Sequence, residues 1–286
     1  MGIEIKNVTK NFGSTCALDQ VSLSIAGGKI YGLLGNNGAG KTTLLNIITN
    51  RLYPDSGEVL IDDESVSDND RALGKVFFMG EQNLYPDNMR VHKAFAVTKL
   101  FYPNFDIQYA NELAGRFGLN TKKKITALST GYASIFRLIL ALSVNTPYLL
   151  LDEPVLGIDA QHRDMFYKLL IEKYSENPCT ILISTHLIEE VANLIEHTFI
   201  IKNGCIIKDM PREELLDGGY TVSGPASLVT SYLSGREVLS VSSLGGLKTA
   251  CVQGKTERTD LPAGLELGTL GLQDYFISLM NEEENK

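Results

Sequence analysis

The stretch that most limits what this chain can fold into is Gly35-Asn36-Asn37-Gly38-Ala39-Gly40-Lys41-Thr42-Thr43. It follows an apolar run, Ile30 to Leu34, and leads into Leu44-Leu45-Asn46-Ile47-Ile48, so it reads as strand, glycine loop, helix. Glycine, four residues, then Gly-Lys-Thr is the spacing of a phosphate-binding loop. The glycines let backbone N–H groups curl around a polyphosphate, and the helix N-terminus behind them adds a favourable field. Lys41 then reaches β- and γ-phosphates, and the Thr42 hydroxyl holds Mg²⁺. At average residue usage the four fixed positions match by accident in about one in a hundred chains of this size. An accidental match would not come with the flanking strand and helix.

The length of 286 residues allows one large domain or a main domain with an appendage, and 44% hydrophobic residues supply a core. A net charge of −8 argues against sequence-independent nucleic-acid binding, which rests on basic patches. Cys16, Cys179, Cys205 and Cys251 are far apart and form no C-x-x-C pair. Scattered thiols without a signal peptide point to a reduced, cytosolic setting and away from a zinc site. Apolar runs such as Ile135–Val144 fall short of a bilayer span, so no direct lipid insertion is expected. Docking on a membrane protein stays open.

Along the chain, Ile3, Ile5 and Val8, then Val21, Leu23 and Ile25, alternate with polar residues, as half-buried antiparallel strands do. Glu58–Asp62 and Lys75–Met79 are further strands. Asp62-Asp63-Glu64 is expected to be a solvated hairpin turn rather than a metal site. From about residue 88 to 145 the pattern is helical: Val91–Phe101, Ile107–Phe117 closed by Gly118, and Tyr132–Ser143. Lys122-Lys123-Lys124 reads as a solvated helix cap. Strands then return at Tyr148–Leu151, Thr180–Ser184, Thr198–Ile201 and Cys205–Lys208, with helices Gln161–Tyr174 and Leu187–Leu194 between them. Such alternation implies a parallel sheet covered on both faces. From residue 218 to 286 the texture changes to Gly- and Ser-rich, with strands Val238–Val241 and Thr249–Val252 and helices Pro225–Leu233 and Leu272–Met280. The expected fold class is therefore α/β: a P-loop core with an antiparallel β subdomain, an inserted helical subdomain, and a small C-terminal α+β appendage whose tail Glu282–Lys286 frays.

Tyr148-Leu149-Leu150-Leu151-Asp152-Glu153 is an apolar strand ending in two carboxylates, and strand C-termini in a parallel sheet face the ligand crevice. Asp152 there holds the Mg²⁺ water shell, and Glu153 accepts a proton from attacking water, a contribution of roughly 10²–10⁴ in rate. Leu128-Ser129-Thr130-Gly131-Tyr132 precedes a helix and offers a hydroxyl and free N–H groups; taken alone it is an ordinary N-cap. Ser184-Thr185-His186 closes a strand and places a histidine near a γ-phosphate, whereas His92, His162 and His197 have no such context.

Over residues 3–210 the chain closely resembles the ATPase subunit of ABC transporters. The phosphate loop Gly35–Thr43, the signature Leu128–Tyr132, the metal-and-base strand Tyr148–Glu153, the D-loop Leu156-Gly157-Ile158-Asp159 and the switch His186 stand in family order. Phe12 falls where the family stacks an aromatic on adenine. The resemblance implies an ATPase with ATP and Mg²⁺. Asn37, Gly38, Gly40, Lys41, Thr42 and Thr43 cradle the nucleotide; Thr42 and Asp152 serve the metal; Glu153 and His186 are catalytic; Asp159 sits at the site. It also implies two subunits, identical or related, packed head to tail, so that Ser129 and Gly131 complete the partner's site. A transmembrane permease is the further partner, which puts the chain at the inner face of the cell membrane.

The sequence departs from the family in two places. The usual Leu-Ser-Gly-Gly-Gln is here Leu-Ser-Thr-Gly-Tyr, which puts the strength of the shared site and the turnover rate in question. The glutamine expected after the sixth strand is replaced by Gly80-Glu81-Gln82; Glu81 is the favoured occupant and metal partner, with Gln82 next. These departures, the Leu84-Tyr85-Pro86-Asp87 stretch and the appendage resemble ATPases that serve separate-chain exporter permeases. The alternatives are a permease-free ABC ATPase acting on ribosomes or DNA, and a nucleotide-dependent regulator that does not hydrolyse.

Overall fold

The computed structural model describes residues 1–86, 88–258 and 261–281; the tail expected to fray at 282–286 lies outside them. The chain divides into two compact units, Met1–His186 with Ile201–Ile207, and Leu187–Ile200 with Lys208–Lys286.

In the first unit the alternating N-terminal residues form β1 (Gly2–Phe12) and β2 (Thr15–Ala26), antiparallel, with Ile3 opposite Ile25 and Ile5 opposite Leu23. The apolar partners all point to one buried face. Next come β3 (Ile30–Leu34) and α1 (Lys41–Ile48), which buries Leu44, Leu45, Ile47 and Ile48. Then β4 (Ser56–Ile61) pairs with β1 and turns into β5 (Glu64–Ser65), giving a sheet in the order β2-β1-β4-β5. Asp62 and Asp63 make this turn at φ 50 and 65°. The turn is there and Asp63 is exposed, but the Asp62 side chain is largely turned inward: its carboxylate accepts from Gly2 N (3.0 Å), Lys75 Nζ (3.0 Å) and the Tyr148 hydroxyl (2.5 Å).

After α2 (Asp70–Leu73) and β6 (Val76–Met79) the chain makes three helices, α3 (Val91–Phe101), α4 (Ile107–Arg116) and α5 (Thr130–Ser143). Phe95, Phe105, Phe117 and Phe136 are buried, each removing an aromatic ring from water. Gly118, at φ +67°, lets the chain leave α4 with Leu119 N bonded back to Ala114 O at 2.8 Å. Lys122 and Lys123 lie in the exposed turn before a short 3₁₀ helix, Ile125–Ala127, and Lys124 is the N-cap of that helix.

β7 (Tyr148–Asp152), α6 (Ala160–Glu176) and β8 (Thr180–Thr185) follow. β3, β8, β7 and β6 are parallel neighbours in that order, and every residue of these four strands is buried. Unbroken apolar runs are what a parallel sheet covered on both faces requires. Beyond β3 the sheet continues through β9 (His197–Lys202) and β10 (Cys205–Pro211), whose stretch Ile201–Ile207 completes the first unit.

The second unit contains α7 (Ile188–Val191), α8 (Arg212–Leu216), β11 (Gly219–Pro225), α9 (Ala226–Tyr232), β12 (Val238–Leu244), β13 (Leu247–Gln253), β14 (Glu266–Thr269) and α10 (Leu272–Asn281). Its antiparallel sheet runs β12-β13-β11-β14 around a core of Tyr220, Val222, Val229, Tyr232, Ala250 and Val252. β11 is absent from the sequence reading because Gly219, Gly224 and Pro225 signal turns; the sheet nonetheless takes them in across seven paired positions. The helix expected over Leu187–Leu194 shortens to Ile188–Val191, where no side chain caps its start.

Candidate functional site

The five buried residues of β3 deliver the chain to Gly35 at the sheet's C-terminal edge. A Cβ at Gly35 would lie 2.6 Å from Ile201 O, and one at Gly40 2.6 Å from Ala17 O, with Gly40 also at φ +111°. Both positions therefore exclude every side chain. Lys41 is only 5% exposed, which would cost several kcal/mol for an unpaired ammonium. Here Nζ donates to Gly35 O (2.7 Å) and Asn36 O (3.2 Å) and lies 3.5 Å from Glu153 Oε1. No side chain caps α1, so its first-turn N–H groups remain available to an anion.

Two neighbouring carboxylates end β7, and their surroundings differ. Asp152 is 3% exposed and accepts from the Thr42 hydroxyl (2.7 Å) and the Ser184 hydroxyl (2.8 Å). Burial pushes its pKa up, the two hydroxyls pull it down, and the charge of Glu153 pushes it up again; the net direction is upward. Glu153 stands at φ +44°, a left-handed conformation that costs a non-glycine residue about 1–3 kcal/mol. Its carboxylate accepts from Thr185 Oγ1 (3.0 Å) and His186 N (3.1 Å) and pairs with His186 Nδ1 at 2.9 Å.

A cavity of about 390 Å³ opens over this edge. Asn37, Gly38, Gly40, Lys41, Thr42, Thr43, Glu81, Glu153 and His186 all line it, and so do Leu156, the first residue of the D-loop stretch, and Ala17, to which nothing in the sequence pointed. Asp152 sits just beneath, reached through Thr42. Ser184 and Thr185 were within view, in the same tripeptide as His186, but their hydroxyl bonds to the two carboxylates need the β7–β8 register to be seen.

Other expected site residues lie apart from this cavity. Phe12 is 51% exposed at the end of β1. Gln82 lines a second, mostly apolar cavity of about 480 Å³ together with Arg51, Phe78, Leu84 and Arg137. Ser129 caps α5 by accepting from Tyr132 N at 3.4 Å, and both Ser129 and Thr130 are exposed. A Cβ on Gly131 would come within 3.3 Å of Gly157 O, which brings the signature and the D-loop side by side in one chain. Asp159 caps α6 through His162 N (3.1 Å) and pairs with His162 Nδ1 (2.6 Å); these bonds hold its carboxyl below the usual range. Among the described residues no group of three His, Cys, Asp or Glu could hold a metal alone. The Thr42–Asp152 oxygen pair fits Mg²⁺ nonetheless, because that ion takes one or two protein oxygens beside phosphates and water.

A glycine loop, a buried lysine and two strand-end carboxylates on a covered parallel sheet define a P-loop nucleotide-binding protein. Residues 18–156 match the model of the family described as ABC transporter. The chain is 32% identical to the ABC transporter ATP-binding protein YtrB of Bacillus subtilis over 74% of its length and 73% of that protein's. It is 30% identical to the Nod factor export ATP-binding protein I of a Bradyrhizobium strain, over 76% and 72% of the two chains. Relatives of similar identity carry import or uptake names. Among solved structures, a dimeric post-hydrolysis state of the ATP-binding cassette MJ0796 bound to ADP and Pi matches with a TM-score of 0.65 and 26% identity, over 73% and 98% of the two chains. The chain belongs to the ATP-binding proteins of ABC transporters, and it is an ATPase of that family.

Proposed function

We propose that this chain is the ATP-hydrolysing subunit of an exporter, paired head to tail with an identical or related subunit and seated on a separate transmembrane permease. The observation that carries the catalytic part is the meeting of Glu153 with Lys41 (3.5 Å) and His186 (2.9 Å) at the mouth of the phosphate loop. Lys41 and the loop N–H groups receive the β- and γ-phosphates, and Thr42 and Asp152 hold Mg²⁺, with Glu81 beside it. The metal supplies charge neutralisation on the phosphates, which phosphoryl transfer needs more than covalent catalysis. Glu153 takes the proton of the attacking water, and His186, held by Glu153, faces the γ-phosphate. Phe12, exposed at the end of β1, stacks on the adenine.

Ser129 and Gly131, neither of which lines the chain's own cavity, complete the partner's site, with Asp159 at the same seam. The dimer named for the MJ0796 cassette supports this pairing. Export is supported by the Nod factor relative and by the departures at Tyr132 and Glu81. Among the described residues no helix is long and apolar enough to cross a membrane, which suits peripheral attachment at the inner face through the permease. The decisive experiment is Glu153→Gln. ATP binding is expected to persist while turnover falls about 10²–10⁴-fold, with closed dimers accumulating in size-exclusion chromatography. Turnover at the parent rate would falsify the general-base assignment. Purification from solubilised membranes is expected to bring a membrane-spanning partner; recovery with ribosomes instead would overturn the permease reading.

A further inference from the structure

Helix α5 carries Ser129 at its start and Arg137 two turns further on. The Arg137 guanidinium lies under the loop that follows β6, where Nη1 donates to the Glu81 carbonyl oxygen. Its other terminal nitrogen, Nη2, donates to Ser134 Oγ at 2.9 Å. Ser134 is 2% exposed and in turn donates to Leu156 O at 3.3 Å. Three segments of separate origin are thus joined by one side chain and one hydroxyl: the Glu81 loop, the signature helix, and the turn at residues 154–157 that directly follows Glu153.

Arg137 is an expensive way to join them. It is half-buried, its Nε has no hydrogen-bond partner, and among the described residues no carboxylate lies within ion-pair distance of it. Burial lowers the guanidinium's pKa, and only the more distant charge of Glu81 works against that. A desolvated cation balanced by a carbonyl and a hydroxyl stabilises a fold less than an apolar side chain of the same volume. What the guanidinium offers is geometry: a rigid planar fork that fixes two acceptors at a set separation. Its position adds a second consideration. Glu81 and Leu156 line the nucleotide cavity, whereas Arg137, with Gln82, lines the apolar one.

We infer that Arg137 is a positioning residue for hydrolysis: through Glu81 and the Ser134–Leu156 link it sets Glu81 and the Glu153 turn in register with the signature helix. This rests on the ATPase reading above, in which Glu81 and Glu153 face the bound phosphates. Arg137 does not line the nucleotide cavity, so its removal is expected to act on turnover and leave ground-state affinity alone.

The test uses the full chain, with kcat and KM for ATP turnover and affinity for a non-hydrolysable ATP analogue. Arg137→Met is expected to lower kcat by about tenfold or more, since misplacement on the order of 1 Å costs up to 10²-fold, with analogue affinity within about twofold of the parent. Ser134→Ala keeps Arg137 on Glu81 but cuts the link to Leu156, and should lower kcat about threefold at unchanged KM. Added guanidinium ion is expected to restore part of the kcat of Arg137→Ala, a response that a purely structural role would not give. Parental kcat in a folded Arg137→Met overturns the inference, as does a loss of analogue affinity equal to the loss of kcat. If Arg137→Met does not fold, Ser134→Ala decides, and parental kcat there overturns it. Failure of this inference with Glu153→Gln still inactive leaves the ATPase reading intact; parental turnover in Glu153→Gln removes that reading instead.

Discussion

Two helix N-termini in this molecule have similar sequence character and opposite surroundings. α1 begins at Gly40 inside a cavity, with Lys41 buried, no capping side chain, and Glu153 and His186 opposite. α5 begins at Ser129, which is exposed, uses its own hydroxyl as a cap, and does not line its own chain's nucleotide cavity. The first is a cradle whose polar groups converge on one another. The second is an exposed, self-capped end, which the proposed pairing assigns to docking. The difference teaches that polar groups placed to grip a phosphate chain converge around α1, while among the described residues none do around α5. Under the proposed head-to-tail pair, the groups that close over the phosphates come from the partner.

The sharpest way to break this contrast is at Lys41. Lys41→Met is expected to lower ATP affinity by about 100-fold or more, because it removes the only buried cation of the cradle among the described residues, and a charge-assisted contact in a dry site is worth several kcal/mol. Fluorescent-nucleotide titration reads this directly; affinity within a few-fold of the parent would mean that the cradle lies elsewhere. Ser129→Ala probes the other helix. It should lower turnover strongly while nucleotide affinity of dilute monomer stays within about twofold, and losing the cap should cost about 1 kcal/mol of stability. Equal losses of turnover and monomer affinity would contradict the division between cradle and docking end.

The smallest expected effect serves as a control remote from both helices. Asp62→Asn removes the carboxylate that joins Gly2, Lys75 and Tyr148, and should cost about 1–3 kcal/mol in denaturant unfolding with ATP affinity unchanged. Burial raises the Asp62 pKa, but the bonds from Tyr148, Lys75 and Gly2 N outweigh it, so the carboxyl sits below its ordinary value. A depressed pKa means that the folded chain binds fewer protons than the unfolded one. The stabilisation is therefore complete above the unfolded value near ~3.9 and is lost as pH falls through the folded value. The gap between parent and variant should close in that acidic window; a constant gap would assign the loss to packing.

Much of the fold was legible because it is written in local periodicity. The alternation in β1 and β2, the apolar runs of β3, β7 and β8, and the Gly-Lys-Thr loop each declare themselves within about ten residues. The site was legible to the extent that function sits at strand ends. What escaped depends on pairing across long separations. Thr42 and Asp152 are 110 residues apart and meet only because β3 and β7 flank β8. Asp62 looked like a surface turn, and only the position of Tyr148 on a neighbouring element shows that it turns inward. β11 escaped because glycine and proline at its ends carry turn signals that its pairing with β13 and β14 overrides. Arg137 escaped because its partner is a backbone carbonyl, and no residue type announces that.

The left-handed backbone at Glu153 has a consequence for the history of such a chain. Glycine, and to a lesser degree asparagine, holds φ near +44° at lower cost, so a sequence shaped by foldability alone would drift toward them at this position. A long acidic side chain kept there is a mark of use. In a duplicated copy released from hydrolysis, position 153 would be among the first where relaxed selection shows, while the surrounding strands, held by packing, stayed the same.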